Sequence, residues 1–92
     1  PVVHELKAAG YRIVSLELTS ASIDIRELAV AADERICLVL GSESRGVSQA
    51  LLDRSDQTVH IPMLGAHSSM NVATACAIAT FEIIRAFPVP RA

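Results

Sequence analysis

An α/β fold built on a parallel sheet is what this 92-residue sequence predicts, and three observations carry it. Apolar, β-branched runs alternate with helical segments along the chain, and helices between strands impose crossover connections and parallel pairing. The run Ile36 to Leu40 is continuously apolar, the mark of a central strand covered on both faces. Glycines and prolines fall at segment ends, at Gly10, Gly41, Pro62 and Pro88.

Taken in order, Val2 to Ala9 reads as the end of a helix closed by Gly10, the usual left-handed C-terminal cap. Arg12 to Leu18 is rich in β-branched residues and reads as a strand, and Thr19 to Ser22 as a loop. Asp24 with Glu27 three residues later matches a capping box, which predicts a helix over Ile25 to Ala32. The strand Ile36 to Leu40 leads into the glycine-bounded loop Gly41 to Gly46 and a short helix, Val47 to Leu52. Thr58 to Ile61 is the third predicted strand, ended by Pro62. A loop over Met63 to Ser68 opens a long helix, Asn71 to Phe87, stopped by Pro88 and Pro90.

Composition bounds the function. One domain spanning residues 1–92 is expected, with 51% hydrophobic residues, which excludes disorder as the main state. The most apolar stretch, Val72 to Phe81, is far short of the ~18–20 residues of a membrane span. The chain opens on Pro1 with no basic, then apolar, leader, so a segment of a longer cytoplasmic protein is expected. A net charge of −2 and three aromatic residues argue against a self-sufficient nucleic-acid binder or a base-stacking platform. Any RNA would have to be held by a local patch or by other parts of the protein. Cys37 and Cys76 lack framework spacing and read as two buried, reduced thiols. His60 and His67 have no partner at metal-ligand spacing, so no metal site is expected.

Two loops hold the chemistry. In parallel sheets ligands sit beyond the carboxyl ends of the strands, where Gly41 to Gly46 and Met63 to Ser68 both fall. A glycine directly after a buried strand admits close backbone approach. The first loop, Gly41-Ser42-Glu43-Ser44-Arg45-Gly46, is neither a P-loop nor a dinucleotide fingerprint. It also reads as an ordinary strand-to-helix turn with Glu43 near a helix N-terminus. In the second, Ser69 and Asn71 also read as plain N-caps, and no G-x-S-x-G elbow surrounds Ser69.

Taken together, an apolar strand followed by G-S-E-x-x-G, then Ile61-Pro62-Met63 and Ser69-Met70-Asn71-Val72 opening an alanine-rich helix, resembles the SpoU (TrmH) family of the SPOUT superfamily. The family's members are S-adenosylmethionine-dependent RNA ribose 2′-O-methyltransferases. Leu38 to Ser48 resembles its second motif, Ile61 to Glu82 its third, and His4 to Val14 the segment between the first and second. The resemblance implies a trefoil-knotted α/β fold with the cofactor in the knot between the two loops. It implies that S-adenosylmethionine is held by Leu40, Gly41, Gly46, Ile61, Met63 and Met70, with adenine in an apolar slot. Glu43 and Asn71 would organise the site and Ser69 would lie near the substrate ribose, in tRNA or rRNA. Met70 stands where the family more often has Leu, and Ser44 where Gly is common. The family's first motif, with an Asn and an Arg associated with activating the ribose hydroxyl, has no counterpart here. The chain therefore reads as the C-terminal portion of such a domain, inactive by itself. A non-catalytic SPOUT-fold RNA-binding or dimerisation module, and an unrelated α/β nucleotide-binding domain, stay open as alternatives.

The helix Asn71 to Phe87 is apolar on almost every face, so it is expected to be buried on more than one side. One side would meet the sheet and the other a second subunit in a homodimer.

Overall fold

The computed structural model describes residues 2–41, 46–62 and 72–88. Its elements are α1 (Val2–Ala8), β1 (Tyr11–Leu16), β2 (Ile23–Asp24), a 3-10 turn (Ile25–Glu27), β3 (Arg35–Leu40), α2 (Gln49–Arg54), β4 (Gln57–His60) and α3 (Val72–Ala86). The four strands form one sheet in the order β2-β4-β1-β3, and every pairing is parallel.

Each boundary has a local cause. Gly10 adopts φ 93° after α1, and its N–H donates to the Lys7 carbonyl at 3.0 Å, which ends the helix. The Arg35 guanidinium donates to the neighbouring Ala9 carbonyl and lies 4.9 Å from the Tyr11 ring centroid, which ties the start of β3 to that turn. Ser48 caps α2 by accepting from the Leu51 N–H at 3.3 Å.

The pleat assigns the two faces of the sheet. Val14, Leu16, Ile36, Leu38, Val59, Ile61 and Ile23 meet Ala79 and Ile83 of α3, together with Ile25, Leu28 and Val30, in one core. Ile13 and Ser15, both fully buried, point the other way, toward α1 and α2. There the Ser15 hydroxyl bonds the Ser55 hydroxyl just after α2. Asp56 carries β1 where β4 has not yet begun. Its carboxylate accepts the Ile13 N–H at 2.7 Å, and its own N–H donates to the Ile13 carbonyl at 2.8 Å. Lys7 of α1 adds an ion pair to Asp56 at 3.5 Å.

Four expectations are corrected. The helix over Ile25 to Ala32 is a single 3-10 turn ending at Glu27. Asp24 does cap it, accepting from the Arg26 N–H at 2.9 Å, but the Arg26 guanidinium also grips both Asp24 oxygens. That hydrogen bond, above all, holds the Asp24 carboxyl down at about 2. Beyond it the chain runs extended, because Leu28 and Val30 are buried while Ala29 between them is exposed. The backbone there is satisfied by side chains: Arg12 donates to the Ala29 carbonyl at 2.8 Å, and Glu34 accepts the Ala31 N–H at 2.8 Å. Second, β3 is an edge strand among the described residues, and only half-buried over Ile36 to Leu40; β1 lies inside the sheet beside β4 and is buried over Ile13 to Ser15. Third, the sheet has a fourth, two-residue strand, Ile23–Asp24, too short to leave a periodic signal. Cys37 and Cys76 are both free, as expected, but half-buried rather than buried.

Replacing Asp56 by Ala leaves the buried Ile13 N–H without its acceptor, a loss of about 1–3 kcal/mol. Urea unfolding should show this as a lowered midpoint with unchanged slope, and Asp56→Asn, which keeps an acceptor oxygen, should recover most of it.

Candidate functional site at the carboxyl edge of the sheet

Parallel strands deliver their C-terminal ends to one edge, and here Leu16, Leu40 and Val59 lie side by side in register. The segments leaving β1, β3 and β4 therefore start from one row. Leu40 and Ile61, both half-buried, face the side of the sheet covered by α3, while Leu18 beyond β1 is 75% exposed. This edge thus carries partly uncovered apolar groups.

Gly41 makes the tightest contact there. A Cβ built on it would lie 2.1 Å from the Gly46 carbonyl carbon and 2.4 Å from the Val47 nitrogen. The two ends of the loop after β3 are therefore pressed together, and only a residue without a side chain fits at position 41. Gly46 adopts φ 66°, which turns the returning chain toward the buried Val47. Glu17, just past β1, accepts the Val47 N–H at 3.0 Å.

A second polar arrangement borders this edge. The Ser22 hydroxyl accepts from the Thr19 N–H at 3.0 Å and donates to the Thr19 carbonyl at 2.8 Å. Its 2.8 Å contact with His60 Nδ1 is therefore one in which the ring N–H donates. The sequence singles out His60 only to dismiss a metal, and among the described residues no three His, Cys, Asp or Glu side chains converge as metal ligands.

Of the predicted site residues, the structure brings Gly41 and Gly46 into contact and sets Leu40 and Ile61 on the same edge. Glu43, Met63, Ser69, Met70 and Asn71 lie outside the described residues. An open cleft elsewhere, lined by Val3, His4, Lys7 and Arg54, contains none of them. It lies between α1 and α2, beside the Lys7–Asp56 pair that precedes β4, away from the edge that parallel sheets use for ligands.

The model of the SpoU rRNA Methylase family matches residues 1–81 of the chain. The chain belongs to the SpoU family. Among its relatives, the tRNA (guanosine(18)-2′-O)-methyltransferase of Escherichia coli is 34% identical over 83 residues, 90% of this chain and 35% of that protein. Two solved structures are similar. The TrmH/SpoU tRNA modifying enzyme of A. aeolicus superposes with a TM-score of 0.80 and 33% identity, over 92% of this chain and 42% of that one. The AdoMet-bound rRNA methyltransferase of Sinorhizobium meliloti superposes with a TM-score of 0.81 and 28% identity, over 90% of this chain and 31% of that one. The chain thus spans about a third of the length of the curated relatives it matches. The sheet with flanking helices is the one its SPOUT methyltransferase neighbours share.

The family match over residues 1–81 includes the contact of Gly41 with Gly46–Val47. That contact also gives the reason for the glycine at 41. The space a side chain would enter is filled by the chain's own backbone. Gly41→Ala should therefore force the loop ends apart, lowering stability by about 1–3 kcal/mol. Denaturant unfolding measures the loss, and faster exchange of the Val47 amide than of Val14 in β1 would localise it.

Proposed function

We propose that this chain is the cofactor-binding part of an S-adenosylmethionine-dependent RNA methyltransferase acting on a ribose 2′-hydroxyl of tRNA or rRNA. The observation that carries the reading is the backbone contact of Gly41 with Gly46–Val47 at the carboxyl edge of the sheet. Its two chemical components are supported by the E. coli relative, a tRNA 2′-O-methyltransferase, and by the AdoMet-bound S. meliloti enzyme. The residues present suit the cofactor. Leu40 and Ile61 offer apolar surface to an adenine, and backbone at the strand ends offers hydrogen bonds to its edge. Met63 and Met70 would complete this set.

When bound, the cofactor supplies an electrophilic methyl group on a sulfonium. The protein's task is to hold a ribose oxygen in line with it and to accept the hydroxyl proton as the new bond forms. In this reading Glu43 and Asn71 order the loops and Ser69 approaches the ribose. The proton acceptor belongs to the family's first motif, outside this chain, so the chain alone binds cofactor without transferring methyl groups. The knotted chain path is part of the same proposal.

The reading extends to assembly. Phe81 and Ile84 of α3 are 65% and 64% exposed, and Ala77 one turn before Phe81 is exposed as well. This stripe lies opposite Ala79 and Ile83, which face the core. The exposure of Ala77, with Ala79 buried, supports this face as the one turned to a partner. A second copy of α3 covering the stripe would bury these side chains.

Calorimetric titration should show S-adenosylhomocysteine binding with one site per chain and no binding of ATP. Preference for ATP would replace this reading with the nucleotide-binding one. Phe81→Glu should move the chain from dimer to monomer in sedimentation velocity while far-UV circular dichroism stays unchanged. A monomeric parent chain at all accessible concentrations would contradict the dimer.

A further inference from the structure

We propose that Glu17 is a positioning residue for the cofactor loop: it locks the loop's exit at Gly46–Val47 to the strand ends that carry Gly41 and Ile61. The inference rests on the cofactor reading above and adds a residue that neither motif contains.

Three observations meet at this side chain. Its Oε1 accepts the Val47 N–H at 3.0 Å. Val47 is only 7% exposed, so this N–H needs a protein acceptor, and an ionised one bonds more strongly than a neutral one. The same carboxylate closes the space over Gly46, where a Cβ would lie 2.7 Å from Oε1. Gly46 holds φ 66°, so the turn that delivers Val47 to Glu17 depends on glycine twice, for conformation and for room. Finally, the Glu17 backbone N–H donates to the Val59 carbonyl at 2.9 Å. One residue is thus bonded through its main chain to β4, two positions before Ile61, and through its side chain to the loop that returns from β3. The two segments proposed to hold the cofactor leave the strands on either side of β1, and Glu17, just past the end of β1, fixes the spacing between them. Loss of the carboxylate frees the loop's exit without removing any group that touches the cofactor.

The test compares the parent chain with Glu17→Ala and Glu17→Gln, titrated with S-adenosylhomocysteine and followed by amide hydrogen exchange. Glu17→Ala should weaken binding about tenfold and speed exchange at Val47 about tenfold, while Val14 in β1 keeps its protection. Glu17→Gln keeps an acceptor oxygen and should restore both quantities to within about threefold. Unchanged affinity in Glu17→Ala, with the parent chain binding normally, would overturn the inference. So would an equal loss of protection at Val14 and Val47, since that marks general destabilisation. A parent chain that does not bind S-adenosylhomocysteine overturns the cofactor reading instead, and the exchange rate at Val47 still decides whether Glu17 locks the loop.

Discussion

The architecture of the site depends on one steric constraint: the main chain at Gly41 must pass within touching distance of the main chain at Gly46 and Val47. A parallel strand that enters a loop normally diverges from the chain that returns. Here the return is held at the strand's own end, where Gly46 and Val47 lie against Gly41. Gly41 makes room for the approach, Gly46 supplies the left-handed turn, and Glu17 supplies the acceptor that keeps the turn in place. Each depends on the register of β1 with β3, which sets Leu16 beside Leu40 and thereby brings Glu17 level with the loop.

The sheet keeps that register through unequal support on its two faces. On one, Val14, Val59 and their neighbours pack against Ala79 and Ile83 of α3 in an apolar core. On the other, Ile13 is buried beside a set of polar contacts, with Asp56 and Ser55 reaching back to β1. Buried polar contacts of this kind add modest net stability but penalise slipped pairings, because a slip would leave each group unsatisfied. The register that places the site is thus fixed by polar partners as well as by apolar burial.

The sequence shows the parallel α/β class, the Gly10 cap, three of the four strands and the helix after residue 71, because each leaves a periodic or punctuating signal. It misleads at Ile25 to Ala32. The Asp24–Glu27 spacing is a valid cap signal, but burial of alternate residues Leu28 and Val30 favours an extended chain over a helix. It also misplaces the centre of the sheet. Ile36 to Leu40 is more uniformly apolar than Arg12 to Leu16, yet among the described residues β3 lies at the edge while β1 and β4 have neighbours on both sides, and strand order depends on connections that a local window does not contain. Of the proposed site, the cofactor roles of Leu40, Gly41, Gly46 and Ile61 come from the family resemblance, while the strand ends beside them were legible because Gly41 and Pro62 follow. Glu17 was not. A single carboxylate after a strand resembles any solvated loop residue, and its role arises from a contact 30 positions away in sequence.

The proposed binding of S-adenosylmethionine at the carboxyl edge of the sheet, around the Gly41–Gly46 contact, can be followed by backbone amide chemical shifts during titration with S-adenosylhomocysteine. The largest changes are expected at Gly41, Gly46, Val47 and Ile61, with His4, Lys7 and Arg54 unmoved. Changes centred on the cleft between α1 and α2, with the carboxyl edge silent, would contradict it.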